Sequence, residues 1–382
     1  MKNILVLILV QLVIVLPNIA QSNEQASIIL KVENCLSPSP EEGVDITWSI
    51  DERMKYHNVP AVSVAVIENY EIAWAKAYGW ADKEEKNPAT TETLFQAASI
   101  SKSINALGIL NWVETESIDL NSDFSEHLNS WNLKSRKKAN NKKITLANLL
   151  SHTAGLNGHG FDGYEIDDKI PTTLQILNGK RPANSKRIES ETEPNKEFKY
   201  SGGGIMITQQ IISEYSGISY DKYMYRNILT SIGMNKSTFN QQPINENEYA
   251  SAYWTSGNRL KGRYHLYPEM AAAGLWSTPI EISRFIIEIQ KSYLGESNKL
   301  ISKKITQKML APHLKDGTTG LGVFLEDVND KKYFTHGGSN EGFKCYYYGS
   351  IEGGNGIVIM TNSESFDIIP EIIRSIFKVY QW

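Results

Sequence analysis

The chain has 382 residues, of which 41% are hydrophobic and 21% charged, a balance typical of a globular protein with one large or two smaller domains. Its net charge of −4 is mild and gives no reason to expect a nucleic-acid partner. The basic cluster at 134–143 is interpreted as a solvated loop rather than a binding patch.

The first 22 residues, "MKNILVLILVQLVIVLPNIAQS", have the layout of a secretory signal peptide. One lysine precedes an apolar run from Ile4 to Leu16, and Pro17 and small or polar residues follow. The run is short for a membrane span, although an uncleaved anchor is the alternative. We therefore interpret residues 1–22 as the signal-peptide segment and expect cleavage after Ala20. We expect no stable membrane insertion afterwards and a periplasmic or secreted protein.

Residues 23–44 are interpreted as an N-terminal extension. From residue 61, the stretch "AVSVAVIENYEIAWAKAYGWAD" has two β-rich apolar runs around a short polar turn, which predicts a hairpin. The middle of the chain, 103–265, has helical runs such as "INALGILNWVE" and "GIMITQQIISEYSG", separated by polar or glycine-rich loops.

The C-terminal third returns to strands, because "GLGVFLEDVNDKKYFTHGG" and "GFKCYYYGSIEGGNGIVIMTN" each read as strand, turn and strand. A helix is predicted ahead of them, with Thr278 as N-cap, Pro279 at the first helical position and Glu281 completing a capping box. The closing stretch "PEIIRSIFKVY" predicts a second helix with its apolar residues on one face.

Strand-rich ends around a helical middle predict an α/β (α+β) fold. We expect an antiparallel sheet built from both chain ends, 45–102 and 266–382, flanked by helices, with an all-helical region inserted at 103–265. The two cysteines, Cys35 and Cys345, could form a disulfide in an oxidising compartment or remain free thiols, and the sequence leaves both alternatives open.

The stretch "TLFQAASISKSINALGILNWV" places Ser99 three residues before Lys102 at the start of an apolar helix. Two other S-x-x-K matches begin at Ser135 and Ser219, but both lie in polar surroundings. Residues three apart share one helix face, and the free N–H groups at a helix start favour negative charge. A buried lysine gives up its proton more easily and could activate the serine. The alternative is a serine N-cap followed by a solvated lysine.

Two further motifs carry candidate site residues. In "FKYSGGGIMI", Tyr200 precedes a glycine run that begins at Gly202; a tyrosine near a lysine could act as a base, and the alternative is a core tyrosine before a helix. In "YFTHGGSNEGF", His336, Gly337 and Gly338 end a strand. A glycine pair on an edge strand lets a substrate backbone pair with it, and the alternative is a bulge or a hairpin turn.

In this order and spacing, the three motifs resemble those of the penicillin-binding-protein-like serine hydrolases. The nearest match is the group of class C β-lactamases, D-alanyl-D-alanine carboxypeptidases and family VIII esterases, in which the middle motif begins with tyrosine and the last may be H-x-G. The stretches "LLSHTAGL", "MAAAGLWSTPIEISRF" and "GIVIMTNSESFDIIPEIIRSI" are also similar to that group. The resemblance covers about residues 45–380.

The resemblance implies a role for each residue that matches a motif. Ser99 would be the nucleophile, and Lys102 would share in activating it. Tyr200 would be the general base and later the acid for the leaving group, while His336 would stand in place of the K-T-G lysine and support the proton network. The backbone N–H groups of Ser99 and Ser339 would form the oxyanion hole, and Gly202, Gly337 and Gly338 would line the substrate site.

One position departs from the family pattern. The middle motif of the family is Tyr-x-Asn, and Gly202 stands where the asparagine would be. That amide usually binds the catalytic lysine and the acyl-amide carbonyl of the substrate, so we expect weak β-lactamase activity.

We expect neither a metal nor an organic cofactor. The stretch "GHGFDG" at 158–163 fits a dinucleotide-binding pattern only by letter, since no strand precedes it, and it is interpreted as a loop near the site mouth. His152 and His159 have no further clustered ligands in the sequence.

The sequence therefore predicts an exported serine hydrolase that forms an acyl-enzyme on Ser99 and cleaves esters or amides. Its partners would be small-molecule or peptide substrates, such as D-amino-acid peptides or cell-wall fragments. The alternative is a non-catalytic descendant of the fold that binds peptides or peptidoglycan.

Overall fold

The computed structural model describes residues 23–38, 46–134, 139–140, 142–242, 245–315 and 317–382. The predicted signal peptide, the S-x-x-K match at Ser135 and half of the basic cluster lie outside the described residues. Among the residues that are described, no helix combines the length and the apolar character needed to cross a bilayer.

The strands of the described chain are β1 (Ala61–Glu68), β2 (Glu71–Asp82), β3 (Asn87–Pro88), β4 (Phe95–Gln96), β5 (Trp276–Ser277), β6 (Phe324–Val328), β7 (Lys331–Asn340), β8 (Phe343–Ser350) and β9 (Gly356–Thr361). The α-helices are α1 (23–33), α2 (Ile50–Tyr56), α3 (Ser101–Thr115), α4 (Leu146–Leu150), α5 (Thr173–Asn178), α6 (Gly202–Ser216), α7 (Tyr220–Met224), α8 (Met270–Ala273), α9 (Pro279–Leu294), α10 (Lys303–Met309) and α11 (Ile368–Tyr380). A short 3-10 helix, Ala98–Ile100, leads directly into α3.

The chain divides into two compact units. The first contains the described residues up to His57 together with Asp367–Trp382, and so holds α1, α2 and α11. In this unit Arg53 on α2 donates two hydrogen bonds of 2.6 Å to the Glu371 carboxylate on α11. Both side chains are buried, so this ion pair fixes α2 against α11. The boundaries at 102 and 266 between a sheet domain and a helical region stay a prediction.

The second unit, Asn58–Phe366, contains the main sheet, whose described strands are ordered β3-β2-β1-β9-β8-β7-β6. Every neighbouring pair is antiparallel. The β1–β9 pairing joins the N-terminal hairpin to the C-terminal strands, and α9 packs on the sheet against β1 and β9. The predicted antiparallel sheet from both chain ends, flanked by helices, is confirmed.

The hairpins follow from residues that tolerate a left-handed backbone. Asn69 and Tyr70 join β1 to β2 with φ of 53° and 63°, and Asn329 and Asp330 join β6 to β7 with φ of 49° and 62°. Two-residue turns of this kind match the twist of the flanking strands and favour Asn and Asp. The predicted hairpins at these two places and at β8–β9 are confirmed.

The start of α9 is only partly as predicted. Thr278 is the N-cap and accepts from the backbone N–H of Glu281, with Pro279 at the start of the helix. The Glu281 carboxylate does not complete a capping box; it accepts hydrogen bonds from the backbone N–H groups of Lys236 and Ser237 and from the Ser237 hydroxyl. A buried carboxylate takes the site with more donors, and so Glu281 fixes a loop instead of its own helix end.

Strand β7 lies directly on the turn that carries Ser99. A Cβ on Gly338 would lie 2.5 Å from the carbonyl oxygen of Ala97, so only glycine allows this approach. The same carbonyl accepts a hydrogen bond of 3.1 Å from the buried Cys345 thiol. Cys345 and Cys35 are both free, which agrees with the free-thiol alternative.

We expect Gly338→Ala to lower the free energy of unfolding by ~2 kcal/mol, because the added methyl group overpacks a backbone contact. Urea unfolding of the purified protein measures this loss. Gly204→Ala is the matched control: its Cβ would meet its nearest atom at 3.6 Å inside α6, where alanine is the better helix former. Equal stability of Gly338→Ala and wild type would show that β7 shifts to accommodate the methyl group with no loss of unfolding free energy.

Candidate active site

The side chain of Lys102 lies at the centre of the site. It is 2% exposed, and its Nζ donates hydrogen bonds to Ser99 Oγ at 3.0 Å and to the carbonyl oxygen of Ala272 at 2.6 Å. The same nitrogen is 5.0 Å from the ring centroid of Tyr200, within cation–π range. The structure thus brings together three residues that the sequence predicts from two separate motifs.

The start of α3 is built to hold Ser99 in place. Ala98 has a φ of 46°, a left-handed conformation that costs free energy in a residue other than glycine and turns the chain sharply before Ser99. Two buried hydroxyls then anchor the first turn of the helix. Ser101 Oγ accepts from the backbone N–H of Leu275 at 2.9 Å, and Ser103 Oγ donates to the carbonyl of Gly322 at 2.7 Å.

Tyr200 precedes α6 and stands between two imidazole rings. Its ring centroid lies 4.3 Å from that of His152 and 4.9 Å from that of His159. Ser201, the next residue, caps α6 by accepting from the Gly204 N–H at 2.9 Å, which fixes where the tyrosine leaves the chain. On the side of Ser99 and Lys102, the Tyr200 ring contacts the Lys102 nitrogen rather than forming a hydrogen bond to Ser99. The role of Tyr200 as base stays a prediction.

His152, from the "LLSHTAGL" stretch, supports Tyr200 from within the protein. Its side chain is buried, and its Nδ1 accepts from the backbone N–H of Ser201 at 3.2 Å. Burial and the nearby charge of Lys102 lower the pKa of His152 well below its ordinary value. A neutral imidazole therefore packs against the tyrosine ring and adds no charge to the site.

His336 on β7 is a second neutral imidazole. Burial and the charge of Lys102 lower the pKa of His336 to about 3. Its Nδ1 lies 2.6 Å from the carbonyl oxygen of Gly337. Because a carbonyl only accepts, Nδ1 carries the proton and Nε2 remains an acceptor. Although His336 holds the place of the K-T-G lysine, it does not supply that lysine's positive charge.

These residues border a cleft of about 570 Å³. Its lining residues are Ser99, His159, Gly160, Phe198, Tyr200, Phe324, His336, Gly337, Gly338, Ser339 and Phe366. Strand β6 covers β7 only as far as the pair Phe324–Thr335, so the part of β7 from His336 onward borders the cleft. All but two of the predicted site residues, Lys102 and Gly202, are among the lining residues.

Gly202 lies outside the lining of the cleft. Its N–H donates to the carbonyl of His159 at 3.3 Å, and a Cβ on it would meet the Phe161 ring at 2.9 Å. The loop at 158–161 therefore packs where a side chain on residue 202 would begin. The predicted contact of Gly202 with substrate stays a prediction, and so do the oxyanion-hole roles of Ser99 and Ser339.

The sequence does not predict several groups of the site. The carbonyl of Ala272 has no side-chain signal, although it lies in a stretch that is similar to the family. Phe198, Phe324 and Phe366 lie in stretches quoted above, but nothing in those stretches assigns the three rings to the site; they reach the cleft through the packing of separate segments. His159 and Gly160 line the cleft, so the loop at 158–161 lies near the mouth of the site, as the sequence predicts.

The helix that supplies the Ala272 carbonyl begins beside a buried acid. Glu269 immediately precedes α8 and is fully buried, with the Tyr164 side chain beside its carboxyl group. Burial raises the pKa of Glu269 from 4.5 to about 8. The native state therefore holds this carboxyl protonated in a pH range where the unfolded chain ionises it.

This raised pKa of Glu269 predicts that stability falls as pH rises from 4.5 to 8. The stabilising contribution is complete below pH 4.5, because both states are then protonated, and it is lost as pH rises through the folded pKa. Between pH 6.5 and 8 we expect a loss of ~2 kcal/mol in wild type.

The measurement is urea unfolding at both pH values for wild type and Glu269→Gln. Histidines with a lowered pKa, such as His336, also change stability with pH near their ordinary value of 6.5, but they do so equally in both proteins, so the difference between wild type and Glu269→Gln isolates the carboxyl. Glutamine keeps the shape without a titrating group, and Glu269→Gln should lose ~2 kcal/mol less than wild type over the interval. An identical pH profile would contradict the assignment.

Comparison with known proteins extends over most of the chain. The Beta-lactamase family profile matches residues 49–374. Protein flp of Staphylococcus aureus (strain MRSA252) is 24% identical over 335 residues, which cover 85% of this chain. This chain spans 64% of the length of that relative.

Two solved structures share the fold. The octameric penicillin-binding protein homologue from Pyrococcus abyssi superposes with a TM-score of 0.72 at 22% identity, covering 87% of this chain and 76% of that one. D-amino acid amidase from Ochrobactrum anthropi SV3, complexed with L-phenylalanine, superposes with a TM-score of 0.72 at 21% identity, covering 94% and 98%. At this identity the likeness concerns the fold.

Proposed function

Because this chain belongs to the Beta-lactamase family, we propose that it is an exported serine hydrolase that forms an acyl-enzyme on Ser99 and cleaves esters or amides. One observation carries the proposal. The Ser99 hydroxyl opens onto a cleft while its oxygen lies 3.0 Å from the buried Lys102 ammonium, beside the Tyr200 ring. A serine hydroxyl is a weak nucleophile, and an adjacent proton acceptor is the usual means of activating it.

In the proposed mechanism, Tyr200 reacts as a phenolate, which the neighbouring Lys102 ammonium favours. It accepts the Ser99 proton either directly or by a relay in which Lys102 gives one proton to the phenolate and takes up the Ser99 proton. Ser99 Oγ attacks the carbonyl carbon of the substrate, and the negative charge that develops on the carbonyl oxygen is bound by the backbone N–H groups of Ser99 and Ser339. Collapse of this tetrahedral species breaks the bond to the alcohol or amine, which leaves with the proton from Tyr200. Water then hydrolyses the acyl-enzyme by the same sequence and restores Ser99.

His336 serves this mechanism as a neutral group. Its low pKa keeps it uncharged at neutral pH, so it positions the Gly337 carbonyl through Nδ1 and offers Nε2 as an acceptor. An additional positive charge beside Lys102 would oppose that lysine's own ammonium. We therefore assign His336 a supporting role in the proton network.

The choice of substrate class draws on two observations. The amidase from Ochrobactrum anthropi shares this fold, which supports amides among the substrates. Gly202 offers no side-chain amide for an acyl-amide carbonyl, and a hydrogen bond lost in a closed site costs ~1–3 kcal/mol. We therefore expect small activated esters to be cleaved faster than penicillins and cephalosporins.

We expect Ser99→Ala to abolish both labelling by a fluorophosphonate probe and turnover of p-nitrophenyl esters, because it removes the nucleophilic oxygen. The matched control is Ser219→Ala, which changes the serine of another S-x-x-K match and should label and turn over like wild type. Normal turnover by Ser99→Ala would refute the assignment. A wild-type protein that binds peptides or peptidoglycan but never labels would favour the non-catalytic alternative.

Lys102→Met and Tyr200→Phe should each lower the acylation rate by ~10²-fold or more, the usual scale for positioned acid–base groups. His336→Ala should cost less, since it does not take the proton. Stopped-flow acylation with an excess of ester measures the three rates. If Tyr200→Phe acylates at the wild-type rate, Tyr200 is not the base, and Lys102, as a neutral amine, is the next candidate to accept the Ser99 proton.

Export of the protein is a proposal based on the first 22 residues. Material recovered from outside the cytoplasm should begin near Gln21, because the small residue at 20 suits signal-peptide cleavage. Intact-mass measurement on the exported fraction checks this. A protein that still carries Met1 in that fraction would indicate an uncleaved anchor.

A further inference from the structure

The cleft is rich in rings and poor in charge. Among its described lining residues there is neither a lysine nor an arginine. Lys102 is nearby, but it is 2% exposed and its nitrogen is occupied by Ser99, the Ala272 carbonyl and the Tyr200 ring. His336, which takes the place of a family lysine, is held neutral. The described lysines and arginines therefore offer a substrate in the cleft no free cation.

The lysines that flank the site residues along the chain are already paired. Lys199, next to Tyr200, bonds Glu191 at 2.7 Å. Lys344, which pairs with Ser339 in the β7–β8 register, contacts Glu364 at 2.5 Å. These contacts leave neither lysine free to meet a carboxylate in the cleft.

The sheet beside the glycine pair adds negative charge rather than positive. The Tyr346 ring packs against Gly337, where an added Cβ would meet it at 3.0 Å. The hydroxyls of Tyr346 and Tyr348 both donate to the Glu326 carboxylate, at 3.1 Å and 2.8 Å. A carboxylate on a bound substrate would thus face a neutral wall with an acid behind it.

Aromatic rings form the rest of the cleft. Phe198 is 44% exposed and packs against Phe324 with ring centroids 6.0 Å apart. Phe366 is 40% exposed and packs against Tyr346 at 6.2 Å. Large apolar side chains that stay this exposed at a concave site gain free energy when a ligand covers them.

We propose that the substrates are esters or amides that carry an aromatic or large apolar group and no free carboxylate, which excludes peptides that end in a free carboxyl group. This inference rests on the proposed function and names its substrate class. A carboxylate that enters a ring-lined cleft loses its hydration and finds no cation in return, whereas a neutral amide in the same place loses much less.

The test compares two substrates that differ only in that group. Phenylacetyl esters of 3-hydroxybenzamide and 3-hydroxybenzoate present the same scissile ester, and one leaving group carries a carboxamide where the other carries a carboxylate. At pH 8, with rates corrected for base-catalysed hydrolysis, we expect kcat/KM to be at least ~10-fold higher for the carboxamide, the scale of an unpaired buried polar group. Equal values, or a preference for the carboxylate, would overturn the proposal.

A variant that adds a positive charge tests whether the lack of a cation causes the preference for the carboxamide ester. Phe366→Lys places an ammonium at the rim of the cleft and should narrow the preference for the carboxamide by ~3-fold, as expected for a partly exposed ion pair. The narrowing should vanish in ~1 M salt, where such a pair is screened. Trp254→Lys is the matched control, since it adds the same charge at a 39% exposed aromatic residue outside the cleft lining and should leave the ratio unchanged.

The outcomes separate this inference from the proposed function. Mass spectrometry should find the phenylacetyl group on Ser99 with the carboxamide ester. If the adduct forms but the carboxylate ester reacts as well or better, the proposed function stands and the substrate class is wrong. If neither ester reacts and no adduct forms, the proposed function itself fails. If Phe366→Lys folds, labels with the fluorophosphonate probe and leaves the ratio unchanged, charge is not what selects the substrate.

Discussion

The buried ammonium of Lys102 is the constraint on which the site depends. Its partners in the described structure are a hydroxyl, a carbonyl oxygen and an aromatic ring, and none of them carries a full negative charge. A charge removed from water needs several such dipoles, held in place, to offset its lost hydration. The turn that leads into α3, helix α8 and the segment before α6 must therefore meet at the Lys102 nitrogen, and the fold brings them together there.

Burial, together with this charge, keeps the neighbouring His152 and His336 neutral. His152 and His336 both have a lowered pKa, and for both the Lys102 charge adds to the effect of burial. In the described part of the chain, the Lys102 ammonium is thus flanked by two imidazoles that neither compete with it nor neutralise it. The hydrogen bonds of Lys102 are directed at Ser99 and Ala272. Rings and serine hydroxyls are prominent in the lining of the adjacent cleft.

The sequence predicted those parts of the fold and site that depend on local patterns. Apolar, β-rich runs around short polar turns predicted the hairpins, and the spacing of Ser99 and Lys102 placed both groups on one helix face. Contacts set by the packing of distant segments stayed hidden. Glu281 has the spacing of a capping box but bonds a loop more than forty residues away, as tertiary donors outnumber local ones. The Ala272 carbonyl carries no side-chain signal at all.

The hydrogen bond from Cys345 to the carbonyl of Ala97 makes this thiol a reporter of the catalytic turn. Cys345 is fully buried, and burial raises the pKa of its thiol, so the nucleophilic thiolate is scarce while β7 stays packed on the turn before Ser99. An alkylating reagent can reach it only when these segments separate. The rate at which the native protein takes up a label at Cys345 therefore measures how often β7 separates from the turn before Ser99. Cys35, which is partly exposed, gives the background reactivity of an accessible thiol.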